Sequence, residues 1–269
     1  MDTLPTTVPT PVPVVAAGPR EDLRRYLTSR SDTVPEAGVG TLLGALRTVL
    51  GPKQRAAVKM LGTRLVAGRS ARRLQQLHAS GQPLLLNLGS GTYNAAGWVN
   101  VDLWGLHGLW GVHPDVVWDL RRPLPLPDGS VDAVFLEHVL EHLPAPVGLA
   151  AMDQAARLLR PGGVVRVSVP DFGRWAREYT ARVTGTGTGP DLFDQVRPGR
   201  PTDLLALAEV VYDHGHVSVW DAGTLVELLR AAGFVDVEVS AYGQGRVHPV
   251  PDAPHRADES LYVEGVRPA

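Results

Sequence analysis

Residues 84–102 read LLLNLGSGTYNAAGWVNVD. The stretch opens on an apolar run, Leu84 to Leu88, interrupted only by Asn87. It then passes through Gly89-Ser90-Gly91 and closes on a second short run, Val99-Asn100-Val101-Asp102. Short apolar runs bounded by turn residues read as buried strands. Glycines directly after a strand remove side chains and let a ligand lie against the backbone. A carboxylate ending the second strand can accept hydrogen bonds from both hydroxyls of a ribose. Only about ten residues link Gly89 to the second strand, whereas a parallel crossover carrying a helix usually needs about a dozen or more. The first crossover helix is therefore expected to be very short or absent.

Outward from this stretch, short apolar runs alternate with helical segments, the pattern of an open, doubly wound α/β sheet covered on both faces. Strands are expected near Leu84 to Leu88, Val99 to Val101, Val116 to Trp118, Asp132 to Leu136, Val164 to Val169, Val235 to Ser240 and Ser260 to Val263. The clearest helices are Pro146 to Leu159, ended by Pro161-Gly162-Gly163, and Ala222 to Ala232, ended by Gly233. In such sheets ligands bind beyond the carboxyl ends of the strands. Those ends carry the Gly89–Gly91 loop, Asp102, Asp119-Leu120 and Glu137-His138. Taken in order, the four positions point to an adenosine-bearing ligand. A dinucleotide site fits less well, because its third, helix-opening glycine is missing: Gly91 is followed by Thr92-Tyr93-Asn94.

Upstream, residues 1–18 are rich in Thr, Pro and Val without period and are expected to be disordered. Residues 19–80 turn helical, with apolar positions at Leu42, Leu43, Leu46, Val49 and Leu50 and again at Val58, Leu61, Leu65 and Val66, divided by Gly51-Pro52. This predicts an Arg-rich helical cap before a main domain over 81–269.

The chain has 269 residues, enough for a full core, and 26 Lys+Arg against 28 Asp+Glu, so a net charge of -2 supplies no field for nucleic acid or anionic lipid. Cysteine is absent, which excludes disulfides and thiolate metal sites. The N-terminus has no basic leader and is broken by Pro5, Pro9, Pro11 and Pro13, and no apolar run approaches a bilayer's thickness. The expectation is a soluble, cytoplasmic protein without membrane contact. Basic positions are almost all Arg, as in proteins of GC-rich bacterial genomes.

With these residues in place, the chain resembles class I S-adenosylmethionine-dependent methyltransferases. More narrowly it is similar to a bacterial subgroup of predicted methyltransferases of the type 11-like kind. The similarity is carried by LNLGSG at 86–91, GWVNVD at 97–102, Asp119-Leu120 with Pro123-Leu124-Pro125, and LEHVLEHL at 136–143. It continues through Arg160-Pro161-Gly162-Gly163, Ser168-Val169-Pro170-Asp171 and Ala231-Ala232-Gly233-Phe234, and so covers about Pro83 to Val263. The resemblance implies a Rossmann-like, seven-stranded, mostly parallel sheet with an antiparallel last strand, and S-adenosyl-L-methionine as cofactor. It implies that Asn87, Gly89, Ser90 and Gly91 pass under the methionine part, and that Asp102 with Leu103 holds the ribose. Asp119 with Leu120 would hold the adenine, and Glu137 and His138 would lie beside the sulfonium.

Methyl transfer is an in-line displacement that needs alignment, exclusion of water and, for oxygen or nitrogen acceptors, a base. The candidate bases are His138, His142, Asp171, His214 and His216. His138 and His142 are four apart and are expected to share one helical face. That spacing can hold a metal, with Asp213, His214 and His216 as further ligands, but the intervening order is not His-Glu-x-x-His and no resident metal is expected. His216 precedes Trp220-Asp221, and the subgroup resembled usually has a histidine there. An insertion at about 171–216, holding Arg174, Trp175, Arg177, Tyr179 and Tyr212, is long enough to act as a lid. Its Arg and aromatic content suits a small-molecule or glycan acceptor; nucleic acid is not expected. Methyl transfer and cofactor binding in a regulatory or non-methyl role both remain open, as do the acceptor atom and the oligomeric state.

Overall fold

The computed structural model describes residues 20–29, 52–104, 111–188 and 191–269. The tail at 1–18, the helical pattern around Leu42 to Leu50 and Trp110 lie outside the described residues. A seven-stranded sheet runs in the order β3-β2-β1-β4-β5-β7-β6. The strands are β1 (Leu85–Leu88), β2 (Val99–Asp102), β3 (Val116–Val117), β4 (Val131–Glu137), β5 (Leu159–Pro170), β6 (Val235–Ser240) and β7 (Ser260–Val266). The first five are parallel, and β7 inserts antiparallel between β5 and β6. The Rossmann-like, mostly parallel sheet expected from the sequence is thus the observed one.

The central strands are apolar on both faces because both faces are covered. Leu86, Val101, Val134, Val165 and Val167 form one core with Leu140, Met152, Leu158, Leu225 and Leu229 of the flanking segments. Complete burial of each such side chain stabilises by roughly 1.5–3 kcal/mol. The order in which strands are added reverses between the parallel neighbours β1 and β4, which pair at Leu86↔Val134, and this switch point opens the crevice at the carboxyl edge. No helix separates β1 from β2: residues 89–98 run as turns, as their length requires.

The helices are α1 (Arg20–Ser29), α2 (Pro52–Ala79), α3 (Ala145–Leu158), α4 (Phe172–Thr184), α5 (Leu192–Gln195), α6 (Asp203–Tyr212) and α7 (Ala222–Ala231). One boundary differs from the sequence reading. Pro161-Gly162-Gly163 does not merely end α3, since β5 already begins at Leu159. The register against β4 jumps between Val131↔Leu159 and Ala133↔Val164, and the intervening residues bulge out of the ladder. Between β5 and α7, helices α4 to α6 close a small core of their own around Trp175, Leu192, Phe193, Ala206 and Val210.

Candidate cofactor and catalytic site

The Gly89–Gly91 loop sits at the switch point. Gly89 N–H donates to the Val101 carbonyl at 2.7 Å and Gly91 N–H to Asp102 Oδ2 at 2.7 Å, so the end of β2 holds the loop after β1. Gly89 has φ +78°, and a Cβ there would stand 2.5 Å from Val139 Cγ2. Only glycine lets the loops after β1 and β4 approach this closely. Gly91, at φ +56°, would point a Cβ into open space. Beside it the buried Ser90 Oγ makes no hydrogen bond to any described residue. An open glycine cradle flanked by an unsatisfied buried hydroxyl fits the amino and carboxylate ends of a methionine moiety.

Asp102 accepts from Gly91 N–H and, through Oδ1, from Leu103 N–H at 2.6 Å. Each carboxylate oxygen retains a second lone pair for a ribose hydroxyl. Burial pushes its pKa up, while the two backbone donors and the charge of Lys59 on α2 work against the rise. Helix α2 thus contributes to this edge. Thr63 of α2 also accepts from Trp104 N–H at 2.9 Å.

Asn87 lies inward of the loop and donates to Asn100 Oδ1 at 2.9 Å, locking β1 to β2. Asp119 spends both oxygens on Arg121, at 2.9 and 3.0 Å, and Leu120 packs partly buried on the core. Burial would raise the Asp119 pKa, but the bonds and charge of Arg121 outweigh it and hold the carboxyl below its ordinary range. Trp98 packs on Phe135 and donates to the Pro249 carbonyl at 3.1 Å; Tyr93 reaches the Asp252 carbonyl. A cavity of about 420 Å³ lies between α2 and β3, lined by Arg69, Arg73, Trp104, His113 and Val117 among others. None of Gly89 to Gly91, Glu137, His138 or Glu141 borders it.

At the end of β4, Glu137 Oε1 accepts from Ala253 N–H at 3.0 Å. Burial pushes its pKa up to about 7; the neighbouring Asp252 adds to the rise, and Arg256 and Arg166 oppose it. His138 then turns the chain at φ +52°, a conformation costly for a non-glycine residue and concentrated at functional sites. Its Nε2 meets Ser260 Oγ at 2.8 Å and its Nδ1 lies 3.1 Å from Glu141 Oε1. Burial, reinforced by Arg256, lowers its pKa to about 3, so the ring is neutral near pH 7. The left-handed turn corrects one expectation: His138 and His142 do not share a helical face. The short 3-10 turn begins only at Leu140, and His142 faces His216 instead, ring centroids 4.9 Å apart.

Asp171 caps α4, accepting from Arg174 N–H at 2.9 Å. His214, also at positive φ, lies 6.0 Å from His216 between ring centroids. In the insertion, Trp175 is fully buried against Phe193, whereas Tyr212 is exposed. The insertion's aromatic content therefore largely serves its own core. Sequence reasoning also passed over Glu141, a buried carboxylate inside the quoted LEHVLEHL run, because nothing in the run distinguishes it from a solvated helix position.

A mostly parallel sheet with this strand order, with a glycine loop at its switch point and a carboxylate closing β2, defines a Rossmann-like fold. A methyltransferase domain family matches residues 93–239, more than half of the chain, and the chain belongs to that family. A Mycolicibacterium smegmatis protein described as a probable S-adenosylmethionine-dependent methyltransferase is 35% identical over 111 residues, 41% of this chain. The chain spans only about a third of the length of that curated relative, 31%. A S-adenosylmethionine-dependent methyltransferase from Archaeoglobus fulgidus aligns at 14% identity and TM-score 0.43 over 76% of this chain and 94% of its own. One from Mesorhizobium loti aligns at 19% identity and TM-score 0.40 over 71% and 96%. No described helix is long and apolar enough to cross a membrane.

Proposed function

We propose that this protein binds S-adenosyl-L-methionine and transfers its methyl group to a small-molecule or glycan acceptor. Family membership supports the reaction class. The single observation that supports the cofactor most strongly is the bond from Gly91 N–H to Asp102 Oδ2, which ties the open cradle to the ribose-binding carboxylate. When bound, the cofactor supplies an electrophilic methyl group on a cationic sulfur, which becomes a neutral thioether as the acceptor gains the methyl and loses a proton. The chain's own part is to align, to exclude water and to take that proton. Glu137, whose carboxyl titrates at about 7, is matched to proton transfer near neutrality. His138 is a poorer base, because burial lowers its pKa to about 3 and its Nε2 is already engaged by Ser260 Oγ. Asp171 serves α4 as a cap, and the rings of His142 and His216 pack edge to face on each other.

Calorimetric titration of the protein with S-adenosylmethionine, repeated with Asp102→Ala, tests the reading. Micromolar binding that the variant loses, with its fold intact by circular dichroism, is the expected result. Binding that survives in the variant would remove Asp102 from the site, and no binding by the wild type would overturn the cofactor itself. A second reading, cofactor binding without methyl transfer, draws on the engagement of His138. Turnover with acceptor panels, read as a mass gain of one methyl, separates the two.

A further inference from the structure

Next to the proposed methyl-transfer edge lies a cluster that neither cofactor binding nor proton transfer uses. Glu141 is 1% exposed, and neither of its carboxylate oxygens accepts a hydrogen bond from any described residue. A buried carboxylate left in this state costs several kcal/mol unless something pairs with it. His138 Nδ1 is near, at 3.1 Å from Oε1, but out of hydrogen-bonding line. His216 Nε2 stands 4.0 Å from the same oxygen. One donor atom from each of Glu141, His142 and His216 lies within 4.8 Å of the other two.

The two segments that carry these residues are fixed to each other by backbone bonds. Val217 N–H and Ser218 N–H both donate to the Glu141 carbonyl, at 2.7 and 3.1 Å, and Ser218 Oγ donates to the Leu140 carbonyl at 3.0 Å. His216 is also committed to one tautomer. Its Nδ1 lies 2.7 Å from the Val210 carbonyl, which can only accept, so Nδ1 carries a hydrogen and Nε2 is the nitrogen turned toward Glu141. A ring nitrogen anchored on a carbonyl while the other faces the donor cluster is the usual arrangement of a metal-binding histidine.

We infer that Glu141, His142 and His216 form a site for one borderline divalent cation such as Zn²⁺, with open coordination positions beside the methyl-transfer edge. Two imidazoles and a carboxylate suit zinc, cobalt or ferrous iron better than the all-oxygen preference of Mg²⁺ or Ca²⁺. Tetrahedral ligands about 2 Å from zinc are about 3.3 Å apart, so closing the cluster around an ion asks for side-chain torsion and leaves the backbone in place. Three protein ligands leave room for an exogenous oxygen. His142 is exposed, which gives that oxygen a route in from solvent. On the methyltransferase reading, the exogenous oxygen belongs to the acceptor, whose hydroxyl the cation would acidify. Cation binding itself does not rest on that reading.

The test uses the full chain stripped with a chelator, with Co²⁺ as a visible-absorption probe and Zn²⁺ as competitor. One Co²⁺ per chain, with d–d absorption bands displaced by equimolar Zn²⁺ and a raised Tm, is expected. Glu141→Gln and His216→Ala should each weaken binding about 10-fold or more, and His78→Ala, at the exposed end of α2, should leave it unchanged. Where a variant fails to fold, His142→Gln at the exposed position takes its place. Wild-type protein that is folded but binds neither ion below about 100 µM would overturn the site, as would affinity that all three ligand variants leave intact. Titration with S-adenosylmethionine on the same stripped sample keeps a failed metal site distinguishable from a failed cofactor site.

Discussion

Replacement of Glu137 by Gln isolates a single buried ionisation. The carboxyl has an ordinary pKa of 4.5 and is pushed up to about 7, chiefly by burial. A raised carboxyl pKa means that the fold favours the protonated form. The contribution is fully present below pH 4.5 and is lost as pH rises through about 7. At 1.36 kcal/mol per pH unit, the ionised group costs the folded state about 3 kcal/mol above neutrality. Gln retains an acceptor for Ala253 N–H and cannot ionise, so it should leave stability near that of the wild type at pH 4.5 and exceed it by up to about 3 kcal/mol at pH 8. The charged groups around Glu137 are Asp252, Arg256 and Arg166, with Tyr93 and Tyr262 nearby, and none is removed by the substitution. His138 next door has its pKa lowered to about 3, so its stabilising contribution is lost as pH falls from 6.5 through about 3, the opposite slope. For that reason the measurement is the difference between variant and wild-type urea-unfolding free energies at each pH, in which the His138 contribution cancels. A difference that is flat between pH 4.5 and 8, or one that grows toward acid, would refute the assignment of a buried, near-neutral carboxyl. A further consequence follows for function: a cationic sulfonium near Glu137 should draw the proton off, so cofactor affinity should rise with pH through neutrality and become flat in Glu137→Gln.

Gly89→Ala should destabilise by about 1–3 kcal/mol through its left-handed backbone and abolish cofactor binding; Val139→Ala added to it relieves the contact with Val139 Cγ2 yet should recover only part of the loss, read by Tm and calorimetry. Arg166→Met should cost about 3–5 kcal/mol in chemical denaturation, because Asp252 and Glu264, which it bonds at 2.6 and 3.0 Å, are left buried without their cation. Trp175→Ala should cost about 3–5 kcal/mol within the helical insertion, visible as faster proteolysis between α4 and α6 with the sheet's far-ultraviolet signal retained.

The sheet was legible in the sequence because its signals are local. Apolar runs over Leu84 to Leu88 and Val131 to Leu136 bury wherever the sheet buries them, and Gly89, Gly91 and Asp102 fall at strand ends by counting alone. The same counting foresaw the absent first crossover helix. Other features depended on which residues meet across the fold. Asp119 reads as a free carboxylate until Arg121 folds back upon it, and Trp175 reads as a lid aromatic until Phe193 and Leu192 enclose it. The face shared by His138 and His142 disappeared because a positive φ at His138 breaks the helical period, and no residue type in LEHVLEHL announces that. Glu141 is the clearest case. Its burial, its unsatisfied oxygens and its closeness to His216, 75 positions further along the chain, arise only when the segment after α6 packs against the turn after β4. Local pattern encodes what each strand must bury and where each strand must end. Desolvation and the pairing of distant polar groups belong to the packed chain, and they alone set the charge states and the donor cluster at this site.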